Sequence, residues 1–166
     1  MSGLFSRGLF WLQSKNRHGI HSPFIYGFLD RGLYAPHLKD APEGQKLFRA
    51  TLDYFRPAHV GVSENLPPAS PLLKMMRTDP GSKAPPHDLF VFGQPSKTVM
   101  EFLAEPSNWH NDSMVYVGNL RSTPRGYTLW EEITRHPSVR VVVETYRAGL
   151  LFFRSEQARQ HFKIRT

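Results

Sequence analysis

Leu4, Phe5, Leu9 and Leu12 recur near a period of 3.6, so the chain opens on a predicted amphipathic helix with Arg7 and Lys15 off its apolar face. Ser22-Pro23 reads as the start of a second helix. The serine hydroxyl can accept from a first-turn amide, and proline at the first helical position loses no hydrogen bond. Phe24, Ile25, Phe28 and Leu29 make one face of that helix, and Gly32 is placed to end it. A third helix is predicted from about Glu43 to Phe55, with Leu47, Phe48, Leu52 and Phe55 inward and Pro57 as its stop.

Beyond Pro57 the period shortens. His59-Val60-Gly61-Val62 reads as a short strand, and Ser70-Pro71 repeats the cap-then-proline signal before a short helix with Leu72, Leu73 and Met76. Asp79 to Pro86 is a loop rich in proline and glycine. Asp88 to Phe92 and Ser113 to Val117 are apolar runs of the kind buried on both faces of a sheet. Between them, Pro95 to Glu105 predicts a helix with Val99, Phe102 and Leu103 inward. Thr123-Pro124 opens the next helix, whose core side carries Leu129, Trp130 and Ile133. Val139 to Tyr146 is a β-branched strand, Arg147-Ala148-Gly149 turns the chain, and Leu150 to Phe153 returns antiparallel. Phe162 to Arg165 adds a last short strand.

This alternation predicts a three-layer α/β protein of five or six strands, with a parallel centre and an antiparallel C-terminal hairpin. Residues 1–56 form an N-terminal helical segment packed on the core, and 57–166 the α/β domain, together one compact unit.

Composition narrows the function classes without choosing one. The 166 residues fit a single domain, and 40% hydrophobic with 13% aromatic residues is enough for a core and too much for a disordered chain. A formal charge of +7 permits nucleic acid, anionic lipid or an acidic protein as partner, but the basic residues are spread along the chain and form no tail. The absence of cysteine excludes a disulfide framework, a thiolate nucleophile and a Cys-ligated metal. Ser6, Arg7 and Gly8 break the first apolar stretch, so a signal peptide is not expected, and no apolar run is long enough to span a bilayer. The expected location is cytoplasmic.

Two flanks of the chain carry a resemblance. Asn16-Arg17-His18-Gly19-Ile20-His21-Ser22-Pro23-Phe24 looks like the N-terminal signature of class I S-adenosylmethionine-dependent methyltransferase-like proteins of Bacteroidota. Trp130-Glu131-Glu132-Ile133, His136-Pro137, Gly149, Phe152-Phe153-Arg154, Gln157-Ala158 and His161-Phe162 resemble the same family's C-terminal half. The resemblance implies a Rossmann-like, methyltransferase-type sheet with the end hairpin at one side. The middle departs from it. Relatives end their first strand in an acid followed by a glycine-rich turn. Here Val60 to Pro68 has one glycine, inside the strand, two prolines in the loop, and Glu64 as a displaced acid. The chain passes from the first strand to the family's fourth, Asp88 to Phe92, omitting the unit whose acid holds the ribose. Gly93, Gln94, Pro95, Ser96, Gly118 and Asn119 stand where relatives place charged residues.

The reading that follows is a degenerate, non-catalytic binding or assembly module without cofactor. The alternative is an active S-adenosylmethionine-dependent methyltransferase in which Glu64, Asp88, Gly93 and Asn119 line the strand ends. A second alternative is a basic RNA-binding protein.

Arg17, His18 and His21 could address a phosphate, metal or acidic partner, but no acid completes a metal shell and the turn before Ser22 accounts for them structurally. Tyr26, Tyr34, Trp109 and Tyr127 could stack on a base, or belong to the core rim. Trp109-His110-Asn111-Asp112 before Ser113 holds an imidazole and a carboxylate, yet it reads as a turn rather than a triad. The first helix could lie on a membrane surface, although its narrow apolar face favours packing. With two strands missing beside it, His59 to Val62 is expected at a sheet edge, where a homodimer could form.

Overall fold

The computed structural model describes residues 2–15, 20–64, 66, 70–75 and 85–166. Helix α1 (Ser2–Gln13) leads into α2 (Pro23–Phe28), where Ser22 accepts from the Ile25 amide as the sequence pattern requires. Gly32 does not end this helix. A π-helical turn over Leu29–Leu33 carries it on, with Gly32 buried against the Phe28 ring and Tyr54 Cβ. Helix α3 (Glu43–Phe55) stops where expected, Arg56 taking the left-handed conformation (φ 48°) before Pro57.

The remaining elements are β1 (Val60–Val62), α4 (Pro71–Met75), β2 (Leu89–Phe92), α5 (Lys97–Ala104), β3 (Met114–Val117), α6 (Pro124–Thr134), β4 (Val141–Glu144), β5 (Gly149–Phe152) and β6 (Gln160–Lys163). Thr123 caps α6 by accepting from the Gly126 amide at 2.9 Å. Six strands form one sheet in the order β1-β2-β3-β5-β4-β6. The first three are parallel, β5 runs antiparallel to both β3 and β4, and β6 lies parallel to β4. The hairpin therefore does not end the sheet. Its returning strand inserts between β3 and β4, and β6 takes that edge.

Alternation sorts the side chains into two layers. Leu89, Val91, Met114, Tyr116, Val141, Val143, Leu150 and Phe152 face α2, α3 and α4. Phe92, Val115, Val117, Val142 and Leu151 face α5 and α6, with Trp130 fully buried among them. Helices α2, α3 and α4 are thus one outer layer of a three-layer, Rossmann-like α/β architecture.

One feature of the winding is unusual. The connections from β1 to β2, β2 to β3 and β3 to β4 all join parallel strands and step the same way along the sheet. Their helices do not share a face: Leu72 of α4 belongs to the α3 layer, while α5 and α6 lie on the other side.

β1 stands at the other edge, paired with β2 alone among the described residues. No described helix is long and apolar enough to cross a membrane.

Candidate functional site

Open α/β sheets bind ligands beyond the carboxyl ends of their parallel strands, so these ends are where chemistry is to be sought. Past β1 and β2 the space over Gly93 is covered, while a cleft of about 430 Å³ opens beside it between Val62, Ser63 and Glu64 and the Thr98, Glu101 and Phe102 side of α5. The Ser63 amide donates to Val91 O at 2.9 Å, the Leu66 amide to Ser63 O, and the loop turns back on itself. This puts the buried Leu66 side chain onto Gly93, where an added Cβ would meet Leu66 Cδ1 at 3.0 Å. Asn119, left-handed at φ 47°, donates from Nδ2 to Gly93 O at 2.9 Å, and the Gly118 amide to Phe92 O. Glu64 is exposed on the turn. Gly61 owes its identity to packing: a Cβ there would lie 2.4 Å from the Phe90 ring.

Glu144 ends the run of valines in β4, and its carboxylate is completely buried beside α6. A buried charge persists only with partners, and it has four. Trp130 Nε1 donates to Oε2 at 3.0 Å, His161 Nε2 lies 2.7 Å from the same oxygen, Tyr127 OH donates to Oε1 at 3.1 Å, and the Arg121 guanidinium pairs with Oε1. Arg121 is anchored in turn by Tyr146 O and sandwiched by the rings of Tyr127 and Phe10. Burial alone would push the Glu144 carboxyl up. The hydrogen bonds from His161 and Trp130 and the charge of Arg121 outweigh it and hold the group at about 2. Burial, with Glu144 beside it, pushes the Tyr127 phenol up to about 12. Gly149 completes the arrangement, since a Cβ would fall 2.1 Å from the Trp130 ring.

Trp130, Tyr127, His161 and one guanidinium nitrogen of Arg121 converge on one carboxylate. Such a group holds elements together; it has no lone pair left to offer a substrate.

Asp88 precedes β2 and so stands at the opposite, amino end of the sheet, away from Gly93 and Asn119. It accepts from the Ala58 and His59 amides at 2.9 and 2.8 Å, and His110 Nε2 lies 3.0 Å from its second oxygen. Burial pushes its carboxyl up, but the His59 amide and the His110 ring outweigh this and lower it. A cleft of about 370 Å³ opens here, with Arg56, Asp88, His110 and Arg154 around Phe55 and Phe152. Asp88, His110 and Ser113 form no triad in it. His110 Nδ1 accepts from the Asp112 amide, so both ring nitrogens are engaged. Ser113 Oγ donates to His87 O at 2.6 Å and never reaches the imidazole. The segment is the turn that its sequence indicates.

Of the four aromatics considered as stacking platforms, three have internal partners. Tyr34 OH donates to Arg165 O, Trp109 stacks on Phe153 with centroids 4.5 Å apart, and Tyr127 serves Glu144. Tyr26 is exposed. His21 is exposed as well; Arg17 and His18 lie outside the described residues. Among the described residues no three metal-ligating side chains converge.

No motif in the sequence marks the Glu144 web. One signal was available: an acid closing a strand of valines must be paired if that strand is buried. Three residues of the C-terminal pattern, Trp130, Gly149 and His161, meet there and gain a common physical reason. Comparison with known protein families, with curated proteins and with solved structures returns no match.

Proposed function

We propose that this chain is a methyltransferase-derived α/β scaffold whose cofactor end has closed, and that it works as a non-catalytic binding or assembly module. The observation that carries the reading is Leu66 buried against Gly93, with Asn119 tied to the Gly93 carbonyl beside it. In a methyltransferase-type sheet a cofactor approaches the backbone at these strand ends. The described residues do not fit S-adenosylmethionine: an apolar side chain occupies the approach, and neither Gly93 nor Asn119 supplies a charge.

The winding supports the same history. In a doubly wound sheet the helices change face where the strand order reverses. Here the face changes between α4 and α5 while the order runs straight on, which is what excision of the reversing strand–helix units would leave behind. An active enzyme using Glu64, Asp88, Gly93 and Asn119 together is disfavoured, because Asp88 lies at the far end of the strands.

Titration calorimetry with S-adenosylmethionine tests this. No binding heat is expected up to about millimolar ligand, a level at which even about 4 kcal/mol of affinity would register. A micromolar dissociation constant would overturn the proposal.

A further inference from the structure

Helix α1 is apolar on two sides. Its inner side carries Phe10, buried edge-on against the Tyr146 ring at 5.8 Å, and the buried Ser14. Ser6 Oγ meets Tyr146 OH, and Lys15 bridges to Ile164 beside β6, so the helix is fastened along its length. A helix docked in this way should present polar residues outward. Instead Leu9, Trp11 and Leu12 point away from the body, 51%, 58% and 74% exposed. At 100° per residue these three fall within an arc of about 160°, opposite Phe10 and Ser14. Among the described residues only Tyr26 joins them as an exposed large hydrophobic group, so the apolar surface is concentrated on this one strip.

The unpaired charge beside the strip lies at the C-terminal end of α1, since Arg7 is paired with Glu43 at 3.0 Å. Residues 1–29 contain Arg7, Lys15 and Arg17 and no aspartate or glutamate. At the C-terminal end of α1 the Arg165 guanidinium lies 4.0 Å over the Trp11 ring, and Lys163 Nζ donates to Gln13. Lys15, Lys163 and Arg165 form no ion pair among the described residues.

We infer that the outward face of α1 docks on the interfacial layer of an anionic bilayer. Leucines and a tryptophan enter the headgroup–acyl boundary, and the flanking cations meet anionic headgroups. A second copy of the chain fits this face less well, since a two-fold contact would set its lysines and arginines against themselves. A strip three side chains wide is also small beside the about 800 Å² per partner that a stable protein contact buries. The inference stands apart from the closed cofactor end and does not depend on it.

The test is flotation of the intact protein with phosphatidylcholine vesicles, with and without phosphatidylserine. The paired variant is Leu9→Ser/Leu12→Ser, with its thermal melt as control of folding. Binding is expected only where phosphatidylserine is present, weakened by added salt and reduced about tenfold or more in the variant, since both leucine side chains insert. Failure to float with anionic vesicles would overturn the inference. So would equal binding by the folded variant, which would reduce the effect to general basicity. A dimer in light scattering that the variant abolishes would assign the face to a second copy instead.

Discussion

The carboxyl ends of this sheet are built in two ways. Beyond β4 a carboxylate remains, completely buried, with Arg121, Tyr127, Trp130 and His161 spent on holding it. Beyond β1 and β2 no buried charge is present among the described residues, and Leu66, Gly93 and Asn119 cover the strand ends there with apolar contact and neutral hydrogen bonds. A charge in the first region ties α6, β4, β6 and the loop after β3 to one point. The neutral plug in the second ties only a loop to two strand ends. Both regions lie where a ligand would bind in an open sheet; the first spends its polar groups internally, while the second keeps Glu64 exposed beside the covered Gly93. The difference is in how much structure depends on each.

That contrast is broken most directly by Glu144→Ala. Removing the carboxylate strands the Arg121 guanidinium and leaves the Trp130 and Tyr127 donors unpaired, a loss of about 3–5 kcal/mol for a broken buried pair. Urea denaturation should show the midpoint falling sharply. A cost within about 1 kcal/mol, the scale of a surface ion pair, would mean that the web organises nothing.

Acid titration of stability probes the same group without mutation. The folded-state value of Glu144 is about 2, against 4.5 for an ordinary glutamate. Because it is depressed by folding, its contribution is complete above about 4.5 and drains away as pH falls from there towards 2. Thermal melts should show that loss for the parent protein and a much flatter dependence for Glu144→Ala. Parallel curves would place the acid sensitivity elsewhere.

The sequence made most elements legible through local chemistry. Ser22-Pro23 and Thr123-Pro124 mark helix starts because capping is decided within four residues. The bounds of α3 follow from Pro57 and an apolar stripe. The insertion of β5 between β3 and β4 is decided by pairing across the sheet, which no local pattern encodes. Glu144 escaped notice for a related reason: its partners lie at 121, 127, 130 and 161, and only the fold gathers them. Asp88 shows the limit on the site side. It abuts a strand in sequence, but the question was which end of the strand, and residue 88 precedes β2 where Gly93 follows it. The outward strip of α1 was hidden because a helical period identifies an apolar face without saying whether the body covers it.

Leu66→Ala is the finer probe of the neutral region. Leu66 is 7% exposed and sits at the rim of its layer, so its truncation should cost about 2 kcal/mol, near the lower bound for buried leucines. That is less than the expected loss at Glu144, and the ranking itself is the test. If Leu66→Ala proves the more damaging, the plug and not the carboxylate holds this end of the sheet. The variant also separates closure from loss of ligands. Opening the space over Gly93 removes the steric block but adds no group to hold a ribose or an amino acid, so calorimetry with S-adenosylmethionine should remain silent. Binding gained by Leu66→Ala alone would mean that one leucine masks a site whose other contacts survive.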